Sequence, residues 1–281
     1  MSENEISKNP MRGLWALTNR ELKKWYKEPF ALFISIVQPI IWMGLFGKAM
    51  NIGAVFTNNP SIPPQVADMM MRATFGTSDY FSYMAVGMLS FVCLFTTMFS
   101  GMSIVWDRRL GFLNKVLSTP VARASIVLSK VLSATIRSLA QAGIVLVFAF
   151  ALGLKTGPTF TPINILGVFA AIFLICVGLS SVFLLIGIRS TRWETQMAVM
   201  NLLNLPLMFS SNSLFPISTM PDWLQVVAKL NPLTYTSDAI RQLLVFEAEA
   251  AQLALDFTYL GAFAALSATI GIVLSWRYLS K

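Results

Sequence analysis

Six stretches of this chain carry no ionisable Asp, Glu, Lys, Arg or His: residues 29–47, 80–106, 138–154, 156–188, 195–221 and 257–276. Each approaches or exceeds the roughly 20 residues a helix needs to cross a hydrocarbon core of about 30 Å. A seventh, 49–67, holds Pro60, Pro63 and Pro64 with several Asn, and is expected to be a loop. Composition points the same way, since 56% of the 281 residues are hydrophobic and only 12% charged, against roughly 25% charged in an average soluble domain. The fold class expected is an all-α integral membrane protein. Its six transmembrane helices fall at about 30–47, 80–106, 133–154, 163–188, 196–215 and 257–276.

The positive charges are distributed unevenly between the two sides that six crossings define. Sixteen Lys and Arg fall on the side of the termini: six before the first span, six after the second, then Arg189, Arg192, Arg277 and Lys281. Five fall on the other side: Lys48, Arg72, Lys155, Lys229 and Arg241. The positive-inside rule then predicts cytoplasmic N- and C-termini in a multi-pass protein of a plasma or inner membrane. The net charge of +8 is expected to reflect this topology and contact with anionic lipid, with no nucleic acid as partner. The first 29 residues are polar and basic, without the apolar core of a secretory signal.

Asn9 and Pro10 can start a helix in which Met11, Trp15, Thr18, Leu22 and Trp25 share one face and Arg12, Arg20, Lys23 and Lys27 another. Residues 1–29 thus predict an amphipathic interfacial helix, the plainer reading being a positive flank that only sets orientation. On the far side, 48–79 is expected to be irregular. Residues 216–256 are too apolar for a solvated loop and too broken by Pro216, Pro221 and Pro232 to span. Short re-entrant or interfacial helices are expected there, with Asn231 and Pro232 as N-cap and first residue of one.

Several kinds of chemistry find no residues to carry them. The chain has no His and only Cys93 and Cys176, both inside expected spans, so metal-ligand spacing and external disulfides are not expected. No ionisable group sits in the six windows, which argues against a proton relay through the membrane, though not against Na⁺ held by carbonyls. Gly47-Lys48 looks faintly like a phosphate loop, but Ala49 stands where a hydroxyl should hold Mg²⁺. No ATPase site of its own is expected, and no cofactor in this chain.

The segment after the second span reads Asp107-Arg108-Arg109-Leu110-Gly111-Phe112-Leu113-Asn114-Lys115-Val116-Leu117-Ser118-Thr119-Pro120. Leu110, Leu113 and Leu117 would share a face of a short amphipathic helix that Pro120 stops. Such a helix can dock in a groove on a partner, or its leucines can rest on headgroups. This stretch resembles the coupling helix of ABC-2-type transport permeases, especially daunorubicin-resistance-like exporters. Arg20-Glu21-Leu22-Lys23-Lys24 leading to Glu28-Pro29, Gln38-Pro39 in the first span, and Pro232-Leu233-Thr234-Tyr235 followed by Arg241 also resemble that family. The resemblance implies a transmembrane domain over 30–277 and a coupling helix over 107–120 contacting a separate ABC ATPase, which holds the ATP and Mg. It also implies a second permease copy, as homodimer or heterodimer.

Ser90 and Thr97 in the second span, with Asn201, Asn204, Met208 and Ser211 in the fifth, could line a pathway for amphiphilic cargo or bond neighbouring helices, the commoner use. Two other functions stay open: a membrane scaffold or sensor that moves nothing, and a Na⁺-coupled transporter.

Overall fold

A computed structural model of the protein describes residues 10–49, 63–119, 121–190 and 192–279, and these form helices and turns with no strand among them. In chain order the helices are α1 (Pro10–Tyr26), α2 (Pro29–Trp42, continued by a π-helical stretch Met43–Ala49), α3 (Pro64–Phe75), α4 (Tyr80–Arg109), α5 (Phe112–Leu117), α6 (Arg123–Ala151), α7 (Asn164–Arg189), α8 (Trp193–Phe209), α9 (Asp222–Leu230), α10 (Pro232–Leu244) and α11 (Ala250–Leu279). A 3₁₀ turn at Ile217–Thr219 precedes α9.

Among the described residues, five helical stretches are long and apolar enough to cross a membrane: Leu32–Ala49, Pro64–Arg109, Arg123–Ala151, Asn164–Arg189 and Ala250–Ser275. The stretch expected at 196–215 is helical only as far as Phe209. Its helix α8 has 17 residues with Pro206 in the last turn, about 26 Å of rise, and a turn-rich segment completes it.

Residues 64–75 correct the expectation of a loop. Pro64 is the first residue of α3, where the missing N–H removes no intrahelical bond, and Gly76 closes the helix at φ +70°. Residues 50–62 lie outside the described residues. Two further boundaries move. α6 begins at Arg123 and runs as a polar helix before its apolar stretch, and α11 begins at Ala250.

α4 is the most enclosed of the long helices, buried on every side from Tyr80 to Leu94. It packs on α6 and α7, while α11 covers the far side of α7 and α1 lies along α6. α4 and α7 meet backbone to backbone: a Cβ on Gly187 would stand 2.3 Å from the Gly101 carbonyl oxygen. Small residues let helix axes approach this closely, and in lipid, packing must supply the association that water-driven burial supplies elsewhere. α8, by contrast, touches α4 and only an edge of α7.

Candidate functional site

The segment 107–119 is two pieces. Asp107–Arg109 form the last turn of α4, Leu110 and Gly111 make a turn, and α5 begins at Phe112. Gly111 sits at φ +71°, a left-handed conformation that costs little only without a Cβ. The break corrects the expected single face. Leu113, 3% exposed, and Val116 point into a second apolar core with Ile104, Val105, Ile126, Val127, Val131, Leu184 and Ile188, whereas Leu110 is 72% exposed. Leu117 packs at the edge of this core. Arg109, Leu110, Asn114, Lys115, Ser118 and Thr119 face outward. Pro120 lies outside the described residues.

Beneath this turn is an ion cluster that joins three helices. Asp107, 2% exposed, accepts from Arg20 Nη2 at 3.1 Å, from Lys24 Nζ at 3.1 Å and from Lys130. Glu21, 4% exposed, accepts from Arg20 Nη1 at 2.8 Å, Lys130 Nζ at 3.0 Å and Lys24 Nζ at 3.2 Å. Two carboxylates thus hold three cations from α1 and α6. The Arg20 guanidinium also lies 3.2 Å from the centroid of the Phe112 ring, an arrangement worth about 0.5–2 kcal/mol. Arg108 turns the other way. Its Nη1 and Nη2 donate to the carbonyls of Ser190 and Ile188 at 2.9 and 2.7 Å, capping the C-terminus of α7. The start of α5 is therefore braced on α1, α6 and α7 together.

α1 takes, over Pro10–Tyr26, the amphipathic form expected within 1–29, with a different division of faces. Leu17, Thr18 and Glu21 face α6 and α5, while Met11 and Trp15 are exposed at 71% and 60%. Residues 1–9 lie outside the described residues. Sequence reasoning missed the cluster because Glu21, Asp107 and Lys130 each look like ordinary flanking charges. The available signal was slight: Glu21 and Asp107 are two of six acidic residues among sixteen cations on that side.

At the opposite end the family-like residues converge on two of the expected pathway residues. Asn231 Oδ1 accepts from the Leu233 amide at 3.0 Å, and its Nδ2 donates to the carbonyls of Leu207 and Ser210 at 2.7 and 3.1 Å. Pro232 is the first residue of α10, and Leu233 is fully buried. Arg241, 1% exposed, donates to the carbonyls of Ser213 at 2.9 Å and Tyr83 at 3.3 Å and stacks 3.6 Å over the Tyr83 ring. Burial pushes the Asp238 carboxyl above its usual range, with the Arg241 guanidinium opposing. Ser237 Oγ lies between Ser90 Oγ at 2.8 Å and Ser213 Oγ at 2.7 Å, and Ser211 donates to Ser213 Oγ at 3.0 Å. Tyr235 donates to the Lys229 carbonyl at 2.7 Å and stacks on Tyr259.

The remaining residues of the polar stripe are scattered. Thr97 bonds back to the carbonyl of Cys93 in its own helix. Asn201 is exposed and Met208 half-buried, while Asn204 is buried with no partner for its Oδ1.

Long apolar helices, a short buried helix at one end and a braced, ion-paired turn at the other define a multi-pass helical membrane protein. Residues 12–245 match the family model described as ABC-2 type transporter. The chain belongs to that family. It is 31% identical over 229 residues to the transport permease ycf38 of Cyanophora paradoxa, covering 81% of this chain and 72% of that one. Similarity extends to the doxorubicin resistance ABC transporter permease protein DrrC of Mycobacterium tuberculosis, 24% identical over 80% of this chain and 74% of the relative. The daunorubicin resistance ABC transporter permease protein DrrB1 of Streptomyces coeruleorubidus is 20% identical over 60% and 59%.

Proposed function

We propose that this chain is the membrane-spanning permease subunit of an ATP-driven ABC exporter. In this reading it crosses the bilayer six times, α8 and the segment after it making the fifth crossing. Both termini lie in the cytoplasm of a plasma or inner membrane. Two permease copies pair, and each docks a separate ATPase that holds ATP and Mg. The cargo is a hydrophobic or amphiphilic compound.

One observation carries the reading. The turn at 109–119 presents Arg109, Leu110, Asn114 and Lys115 outward while its root is locked to three helices. A loop that only rested on headgroups would need no such bracing. A loop that receives force does, because force on a slack segment is lost in local motion. Displacement of the turn by a closing ATPase would move α4 and, through Arg108, Lys130 and Arg20, also α7, α6 and α1. Leu110, the exposed apolar residue at its tip, is the docking anchor.

The test is copurification of the permease with its ATPase from detergent. Leu110→Asp is expected to abolish the association while leaving membrane insertion and melting temperature unchanged, because Leu110 touches no core. Leu113→Asp is expected to unfold the base of the protein instead. Retained association in Leu110→Asp would remove the docking assignment, and transport by purified permease without any ATPase would remove the exporter reading.

A further inference from the structure

Along α8 the buried stripe is Gln196, Met200 and Asn204, one residue per turn on one face. That face meets α4. A Cβ on Gly101 of α4 would lie 2.5 Å from Met200 Cε, and one on Gly87 would lie 1.9 Å from the carbonyl oxygen of Ser213, just past the end of α8. The two elements therefore run antiparallel in close contact, α8 exposing Leu202 and Leu205 on its other side at 71% and 56%.

The polar members of this seam are in an unusual state. Gln196 is fully buried with neither amide atom bonded, and Asn204 and Asn212, 5% and 7% exposed, each have an Oδ1 without a partner. Among the described residues these are the only carboxamides so placed. The hydroxyls on the facing helix are satisfied: Ser90 bonds Ser237, and Thr97, Ser100 and Ser103 bond backbone carbonyls. Buried orphan amides are costly and rare, and one in a native structure calls for a reason. Gln196 and Asn204 lie about 12 Å apart along the helix axis, and Asn212 continues the row toward the opposite end. The row thus extends over most of the apolar depth, on a helix that touches only α4 and an edge of α7 among the long helices.

We infer that the α4–α8 seam opens to pass the uncharged, hydroxyl-bearing headgroup of an amphiphilic cargo, with Gln196, Asn204 and Asn212 as successive contacts and the apolar tail left in lipid. The inference rests on the exporter reading for its direction of travel, and names the cargo class within it. A carboxamide offers both donor and acceptor, matching sugar or glycerol hydroxyls. The 80–106 and 195–221 segments carry no charge to neutralise an ionic headgroup, and the guanidinium of Arg241 at the far end is taken up by the Ser213 and Tyr83 carbonyls.

The experiment uses the purified full chain in phosphatidylcholine nanodiscs, with and without monoglucosyl diacylglycerol as probe, and with phosphatidylglycerol as the charged comparison. Gln196→Leu and Asn204→Leu are expected to melt about 2–4 °C above wild type in plain discs, because each removes an unmet amide. Both are expected to lose the melting shift that the glucosyl lipid gives wild type, whereas Leu166→Ala, on the exposed face of α7, keeps it. Variants that melt lower, a wild type that responds only to phosphatidylglycerol or to neither lipid, or variants that keep the full glucosyl shift would each overturn the inference. In the same discs with the ATPase added, glucosyl lipid is expected to stimulate hydrolysis several-fold in wild type. A wild-type complex that hydrolyses no ATP while the glucosyl shift persists would sink the exporter reading and leave the seam assignment standing.

Discussion

At the scale of single residues, the cluster around Asp107 and Glu21 is held by mutual need. Lys130, with 5% of its side chain exposed, is costly to bury as an ammonium and is tolerated because two carboxylates face it. Removing one partner of such a buried set strands the others, at a cost of about 3–5 kcal/mol. Asp107→Ala is accordingly expected to lower stability by about 3 kcal/mol, since Lys130 keeps Glu21, as read from denaturant or thermal melting in detergent. Asp107→Leu combined with Lys130→Met should cost much less than Asp107→Ala alone, because no unpaired charge is left behind. If the double variant were as unstable as the sum of its parts, the pairing would not be the source of the stability.

Among the elements, α5 depends on one backbone conformation. Gly111→Ala would force a side chain into the left-handed region, at about 1–2 kcal/mol, and is expected to lower both the melting temperature and the amount of ATPase recovered with the permease. Gly111→Asn, which visits that region more readily, is expected to retain most of both. This break was not legible in the sequence. Leu110, Leu113 and Leu117 fall at helical spacing, and nothing in Leu-Gly-Phe distinguishes a glycine inside a helix from one that ends it. α3 was illegible for the converse reason: prolines mark a loop until one of them sits at a helix's first position. What could be read was the periodic and the local. Five of the six apolar windows became helices long enough to cross a membrane, and Asn231-Pro232 became a cap with its hydrogen bond in place. The ion cluster could not be read, since Arg20, Glu21, Asp107 and Lys130 are brought together only by the packing of α1 on α6 and α4.

For the molecule as a whole, the proposed six crossings with both termini inside make a direct prediction. Cys93 and Cys176 are buried, so an added exposed thiol reports alone. Ser118→Cys is expected to react with a membrane-impermeant maleimide only after the cell is opened, and Asp222→Cys in intact cells. Reversed labelling would invert the orientation proposed above. The grip of Arg108 on the last carbonyls of α7 has a mechanical consequence. With α1, α4, α6 and α7 clamped at their basic ends to one short knuckle, they must shift as a single block, like the spokes of a wheel fixed to its hub. Whatever travel a working stroke requires has to be taken up by helices that the hub does not hold, α8 among them.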